Sequence, residues 1–156
     1  MARDKSLANS GPDPFALQRF VDAQRGVYDS VLAELRAGRK ATHWIWFVFP
    51  QLRGLGRSPT AQRFGIASLD EARAYLDHDV LGPRLRECAG LVARSSQWSA
   101  RDLFGSPDDL KVRSSMTLFA RATDDPAAVA VFRDVLDKYY DGEEDPLTVE
   151  LLTGGR

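Results

Sequence analysis

The chain has 156 residues, 44% hydrophobic and 28% charged, with a formal net charge of −1. That length suits one domain with a core that needs no staples, and the near-neutral balance supplies no general pull toward nucleic acid or an anionic membrane. One cysteine makes no internal disulfide, and the longest apolar run, Trp44 to Phe49, is far shorter than the ~20 residues of a membrane helix.

Residues 1–12 are polar, include Gly11 and Pro12, and read as a disordered leader without an apolar signal core, so the expected location is cytoplasmic. Residues 13–152 read as a single helical domain and 153–156 as a tail. Phe15, Leu17, Phe20 and Val21, then Val27, Tyr28, Val31, Leu32 and Leu35, recur at helical spacing. They predict one or two helices, ended by Gly38. Trp44 to Phe49 is ambiguous, since its length suits a buried strand. Nothing else in the chain alternates as a partner strand, so a short buried helix ending before Pro50 is the better reading.

Residues 69–77 predict a short helix, and 80–94 a longer one with Leu81, Leu85, Cys88, Leu91 and Val92 inward. Pro83 is tolerated there because it falls in the first turn. One turn at 100–104 stops at Gly105. Two solid helices follow over 107–122 and 126–140, the second closed by Gly142, and 146–152 forms a last short one. The starts are marked by proline after a capping residue: Asp13-Pro14, Ser58-Pro59, Ser106-Pro107, Asp125-Pro126 and Asp145-Pro146. Capping boxes are read at Ser68 with Glu71 and at Ser106 with Asp109. The prediction is an all-α, single multihelical domain of about seven to nine helices, several of them short.

Three constellations carry chemistry-bearing residues. From Leu35 to Leu69 the chain holds Arg36, Arg39, Lys40, Arg53, Arg57 and Arg63, plus His43, and no acidic residue. Within it, Arg53-Gly54-Leu55-Gly56-Arg57-Ser58-Pro59 is a glycine loop feeding a capped helix, where free amides and arginines favour an anion such as phosphate. It lacks the Gly-Lys-Ser/Thr ending of a P-loop and the third glycine of a dinucleotide fingerprint. The competing reading is a plain turn with solvated arginines. Beside it, His43 stands among Trp44, Trp46 and Gln51. Aromatics can stack a base or sugar, histidine can move a proton near neutral pH, and glutamine can read polar edges. Equally, the aromatics are core and His43 is a boundary residue.

The third constellation starts one helix. Asp108, Lys111 and Ser115 share a face, with Ser114 and Thr117 on a neighbouring stripe. A desolvated lysine one turn from a serine is a base–nucleophile pair; the bland version is an ion pair plus hydroxyls bonded to the previous turn. Elsewhere Cys88 reads as an inert core thiol, and His78 as a favourable charge at a helix end. Trp98 reads as a lid on the core, and the acidic residues from Asp137 to Asp145 as a solvated corner. No spaced metal set is present, and no cofactor is expected.

Read in order, several strings resemble the bacterial and fungal family named domain of unknown function 1810. They are Asp13-Pro14-Phe15 with Arg19-Phe20 and Ala23-Gln24; His43-Trp44-x-Trp46-Phe47-x-Phe49-Pro50-Gln51; Gly54-Leu55-Gly56-x-Ser58; and Ala74-Tyr75-Leu76 with Leu81-Gly82-x-Arg84-Leu85. Phe104-Gly105 through Asp108, Lys111, Ser114-Ser115 and Thr117-Leu118-Phe119 continues the series, and Phe132 through Gly142 to Asp145 and Thr148 ends it. The resemblance covers roughly residues 13–152 and implies a mainly helical single domain, with no activity or ligand attached. The label calpastatin, carried by some members, describes a disordered inhibitor and does not fit a capped, core-bearing chain. Phe64 stands where the family usually has tyrosine, and Asp79 where it has proline.

The resulting expectation is a small-molecule-binding domain for a phosphate-bearing ligand, a nucleotide or ADP-ribose-like compound. Its proposed catalytic set is His43, Asp108, Lys111 and Ser115. The ligand contacts would come from Trp44, Trp46, Gln51, Arg53, Gly54, Gly56, Arg57, Ser58 and Ser114. The alternatives are an interaction module for nucleic acid or protein built on residues 36–63, with nucleic acid the less favoured partner, or motifs that only determine the fold. No membrane partner is expected, and the sequence fixes no oligomeric state.

Overall fold

Helix starts in this chain follow from side-chain oxygens placed to accept free backbone amides. In the computed structural model, which describes residues 12–154, Ser58 accepts from the Ala61 amide and Ser68 from Glu71. Asp125 accepts from Ala127 and Asp145 from Thr148. Asp13 accepts the amides of Leu17 at 2.8 Å and Gln18 at 3.0 Å, so its helix begins a turn later than Pro14. Ser99 adds a cap that the sequence reading did not name, at the Asp102 amide. Ser106 is the exception. Pro107 occupies the position before the helix, no side chain caps it, and the Asp109 amide bonds instead to the Gly105 carbonyl at 2.9 Å.

Among the described residues there are ten helices: α1 (Gln18–Gln24), α2 (Tyr28–Ala37), α3 (Ile45–Val48), α4 (Pro59–Arg63), α5 (Leu69–Asp77), α6 (Leu81–Ala93), α7 (Ala100–Phe104), α8 (Asp108–Ala122), α9 (Pro126–Tyr139) and α10 (Pro146–Leu152). The fold is all-α. Among the described residues the sheet-like pairing is one parallel bridge, Leu52 to Ile66, and the ambiguous aromatic run is the short helix α3. The expected leader falls outside the described residues except for Pro12, and so do Gly155 and Arg156 of the expected tail.

α8 is the axis of the domain and packs on α5, α9, α7, α10 and α3. Its Val112, Met116, Leu118 and Phe119 are wholly buried. Aromatic rings carry the core across the helices. Phe64 meets Phe20 at 5.7 Å, Phe20 meets Tyr75 edge-on at 5.1 Å, Tyr75 meets Phe119 at 5.3 Å, and Phe119 meets Phe132 at 6.1 Å. Such pairs add about 0.5–1.5 kcal/mol each beyond their buried area.

Three readings from the sequence need correction. Trp98 is 94% exposed and covers nothing, because the loop after α6 carries it away from the core. His78 is not a charge at the end of α5. Its Nδ1 accepts the Val80 and Leu81 amides at 3.1 and 3.3 Å, so it caps the start of α6 as a neutral ring. The acidic corner is solvated only in part: Asp137, Asp141 and Glu143 are exposed, but Glu144 takes both Nε and Nη2 of Arg121, at 2.7 and 2.8 Å, and Asp145 caps α10. Cys88, by contrast, lies in the core as expected, with burial pushing its thiol up to about 12.

Candidate functional site

Two lysines share one carboxylate at the start of α8. Asp108 Oδ2 lies 2.8 Å from Lys40 Nζ, and its Oδ1 lies 3.2 Å from Lys111 Nζ one turn along the helix. Lys40 reaches the site because α2 ends at Gly38, whose φ of +76° lets the chain reverse, and because its own amide bonds to the Leu103 carbonyl at 2.7 Å. The Lys40 side chain is only 6% exposed. Burial alone would raise the Asp108 carboxyl, but the two ammonium groups overcome it and hold it below the usual carboxylate range. Two positive charges against one negative leave the cluster with an excess of one positive charge.

Each lysine also lies against a tryptophan face. Lys40 Nζ is 5.2 Å from the Trp44 ring centroid and Lys111 Nζ is 3.9 Å from that of Trp46. Trp44 is core, and its indole N–H donates to Glu34 Oε1 at 2.9 Å. Glu34 also receives the amides of Ala41 and Thr42 and the Thr42 hydroxyl. Burial raises its carboxyl, and these four donors more than reverse that, leaving it at about 2. Glu34 therefore pins the turn that carries Lys40, His43 and Trp44.

Trp46 is half-buried and its edge faces the glycine loop. A Cβ on Gly56 would fall 2.7 Å from Ala61 Cβ, 3.6 Å from Gln51 Nε2 and 3.8 Å from Trp46 Cη2. Glycine is needed there for the loop to close over α4. Gln51 is 8% exposed, and among the described residues its side-chain amide makes no hydrogen bond. The amide is not sealed from solvent and can bond to a ligand.

The structure thus brings Asp108, Lys111, Trp44, Trp46, Gln51 and Gly56 into one neighbourhood, with Lys40 added. The other expected residues are placed differently. Arg53 donates to the Gly65 carbonyl at 3.1 Å, and Ser58 is occupied by the Ala61 amide at 3.1 Å, so much of the loop bonds to itself. Gly54 and Arg57 are exposed on it, and His43 is exposed on the turn before Trp44. Ser114 turns away, its hydroxyl at 3.0 Å from Asp145 Oδ2. Ser115 is fully buried, and among the described residues its Oγ has no partner, so an attacking role would require the core to open.

A groove of about 510 Å3 adjoins Lys40. Arg39, Lys40 and Arg101 line it against a single Asp102, and it runs past Gln97 and Gly105 toward the start of α8. Lys40 and Glu34 are the residues that the sequence reading missed as individuals. Lys40 was counted in the basic run, but nothing local distinguished it from Arg39, and Glu34 lay in a helix with no visible partner.

The family described as protein of unknown function (DUF1810) matches residues 14–152. The chain belongs to that family. Its structure is similar to the crystal structure of the conserved hypothetical protein Rv1873 from Mycobacterium tuberculosis. The two are 64% identical, with a TM-score of 0.87 over 90% of this chain and 99% of that one. No curated protein matches the chain. Among the described residues, no helix is long and apolar enough to cross a membrane.

Proposed function

We propose that the domain binds a phosphate-bearing small molecule, a nucleotide or ADP-ribose-like compound, at the Trp46 shelf and the basic groove beside it. The observation that carries this reading is the shared carboxylate. Lys40, Asp108 and Lys111 together retain one positive charge, and they lie near the Gln51 amide, which makes no hydrogen bond among the described residues. Lys111 donates to the ligand, Asp108 fixes its position, and Gln51 reads a polar edge. Arg39 and Arg101 add charge along the groove. Trp98 follows the groove residue Gln97 in the chain and is 94% exposed, so its ring is accessible for a base to stack on. The burial of Trp44 removes it as a stacking platform for single-stranded nucleic acid.

Melting temperatures with ADP-ribose, a nucleotide and inorganic phosphate test the reading, since a ligand of the native state stabilises it by mass action. A rise is expected in the wild-type protein and not in Lys111→Met. Trp98→Ala should lose the advantage of the nucleotide over phosphate, and Arg57→Ala reports whether the exposed glycine loop takes part. Equal shifts in the wild type and Lys111→Met would remove the shelf as the site.

A further inference from the structure

The turn joining α1 to α2 opens on a second cavity, of about 250 Å3, with Gln24, Arg25, Tyr28 and Asp29 on one side and Arg84 of α6 on the other. Gln24 is 1% exposed, and its amide is fully committed. Nε2 donates to the Phe47 carbonyl at 2.7 Å and to the Tyr75 hydroxyl at 3.3 Å. That fixes which way the amide points and leaves its oxygen to accept from Arg84 Nη1 at 3.2 Å. The Arg84 guanidinium also stacks on Tyr28, with its carbon 4.4 Å from the ring centroid.

The guanidinium is therefore held at one nitrogen and across one face, yet it is not neutralised. Among the described residues, no carboxylate lies within ion-pair distance of it, and its Nε and Nη2 make no hydrogen bond. Of the nearby acids, Glu87 accepts the Tyr28 hydroxyl at 2.7 Å and lies 4.0 Å from Arg36, and Asp22 pairs with Arg25 at 3.4 Å. Asp29 lines the cavity without pairing with Arg84, and Arg25 and Arg84 outnumber it there. A buried neutral amide aiming an arginine differs from a carboxylate quenching one. It orients the fork and leaves its charge available. The Nε–Nη2 edge is the fork that takes two oxygens of one planar or tetrahedral anion.

We propose that this cavity is a second binding site, which takes a small oxyanion, carboxylate or phosphate, on the Nε–Nη2 edge of Arg84. The volume is below the ~300 Å3 of ordinary ligand pockets, so it admits a short acid or the acidic end of a metabolite and not a whole nucleotide. Gln24 and Arg84 belong to the strings Ala23-Gln24 and Arg84-Leu85, to which the tryptophan shelf gives no role.

The test follows the Arg84 Nε–H signal by nitrogen-15 NMR in the full chain. Succinate and inorganic phosphate are titrated in turn, with sodium chloride at matched ionic strength as the control. A saturable shift with either oxyanion and not with chloride is expected, and the one that saturates first identifies the source. Arg84→Lys keeps the charge and loses the fork, so binding read at the Gln24 side-chain amide should weaken about tenfold. Lys111→Met should titrate like the wild type. A shift that follows chloride equally, an unchanged titration in Arg84→Lys, or its loss in Lys111→Met would each overturn the proposal. Should Arg84→Lys fail to fold, the wild-type comparison with chloride still decides.

Discussion

At the scale of single residues, Lys40 shows most clearly what context does to a charge. Its side chain is 6% exposed and its ammonium relies on Asp108. Breaking a buried pair from one side leaves an uncompensated charge, at a cost of about 3–5 kcal/mol. Asp108 is itself 19% exposed and partly reached by water, so Asp108→Asn should cost about 3 kcal/mol, at the low end of that range. Lys111→Met leaves the Lys40 pair intact and loses the longer, 3.2 Å pair with Asp108 and the contact with the Trp46 face, for about 1 kcal/mol. Urea denaturation of the two variants checks the order, and equal losses would mean that the carboxylate is not shared as described. Cys88 makes the opposite case. Its thiol is wholly buried and held near 12, so it should stay unlabelled by a thiol reagent in native buffer and react completely in denaturant. The inward stripe of α6 foretold this, because a periodic apolar pattern fixes which face is inside. Nothing comparable foretold Trp98. Its exposure depends on the path of a loop, and loops carry no periodicity.

At the scale of elements, the caps were legible because they are local: an Asp or Ser and the amide two or three residues on decide them. Ser58, Ser68, Asp125 and Asp145 behave as read, and each contributes about 1 kcal/mol. Ser106 fails although it has the same neighbours, because the Gly105 carbonyl supplies the bond it was expected to make. Contacts between elements were far less legible. The start of α6 is pressed onto the end of α5, so that a Cβ on Gly82 would sit 2.0 Å from the Leu76 carbonyl oxygen. That oxygen belongs to the backbone and cannot swing aside as a side chain can. Gly82→Ala should therefore force the two helices apart and cost about 1–3 kcal/mol, despite alanine's better helix propensity. Thermal denaturation measures it, and a neutral or stabilised variant would show that the junction yields. The same junction explains why His78 was misread. From the sequence it ends α5, but its ring is turned onward to accept the first amides of α6.

At the scale of the whole molecule, the candidate site was legible as a set of segments and not as a geometry. Polar residues in apolar surroundings marked out Asp108, Lys111 and Gln51, but that Lys111 rests on Trp46 depends on how α8 crosses α3, which no local pattern encodes. The polar anchors at the helix junctions, however, imply one global property, the response of stability to pH. Burial lowers the His78 ring below its ordinary value of 6.5 against the opposing pull of Asp79 and Asp13, and protonation of Nδ1 would also break its two amide bonds. A histidine depressed in the folded state contributes stability that is present above the unfolded value and is lost as pH falls through the folded one. Glu34, at about 2 against an ordinary 4.5, has the same sign in a lower window: its contribution is present above 4.5 and fades toward 2. Asp108 and Glu144, both lowered by basic partners, add to that second loss. The melting temperature should thus be level near neutrality, drop once below about pH 6.5 and drop again below about pH 4.5. His78→Asn separates the two steps, since an asparagine oxygen can accept an amide without titrating. It should flatten the upper step and leave the lower one. If the variant retains the upper step in full, protonation somewhere other than the α5–α6 junction governs it.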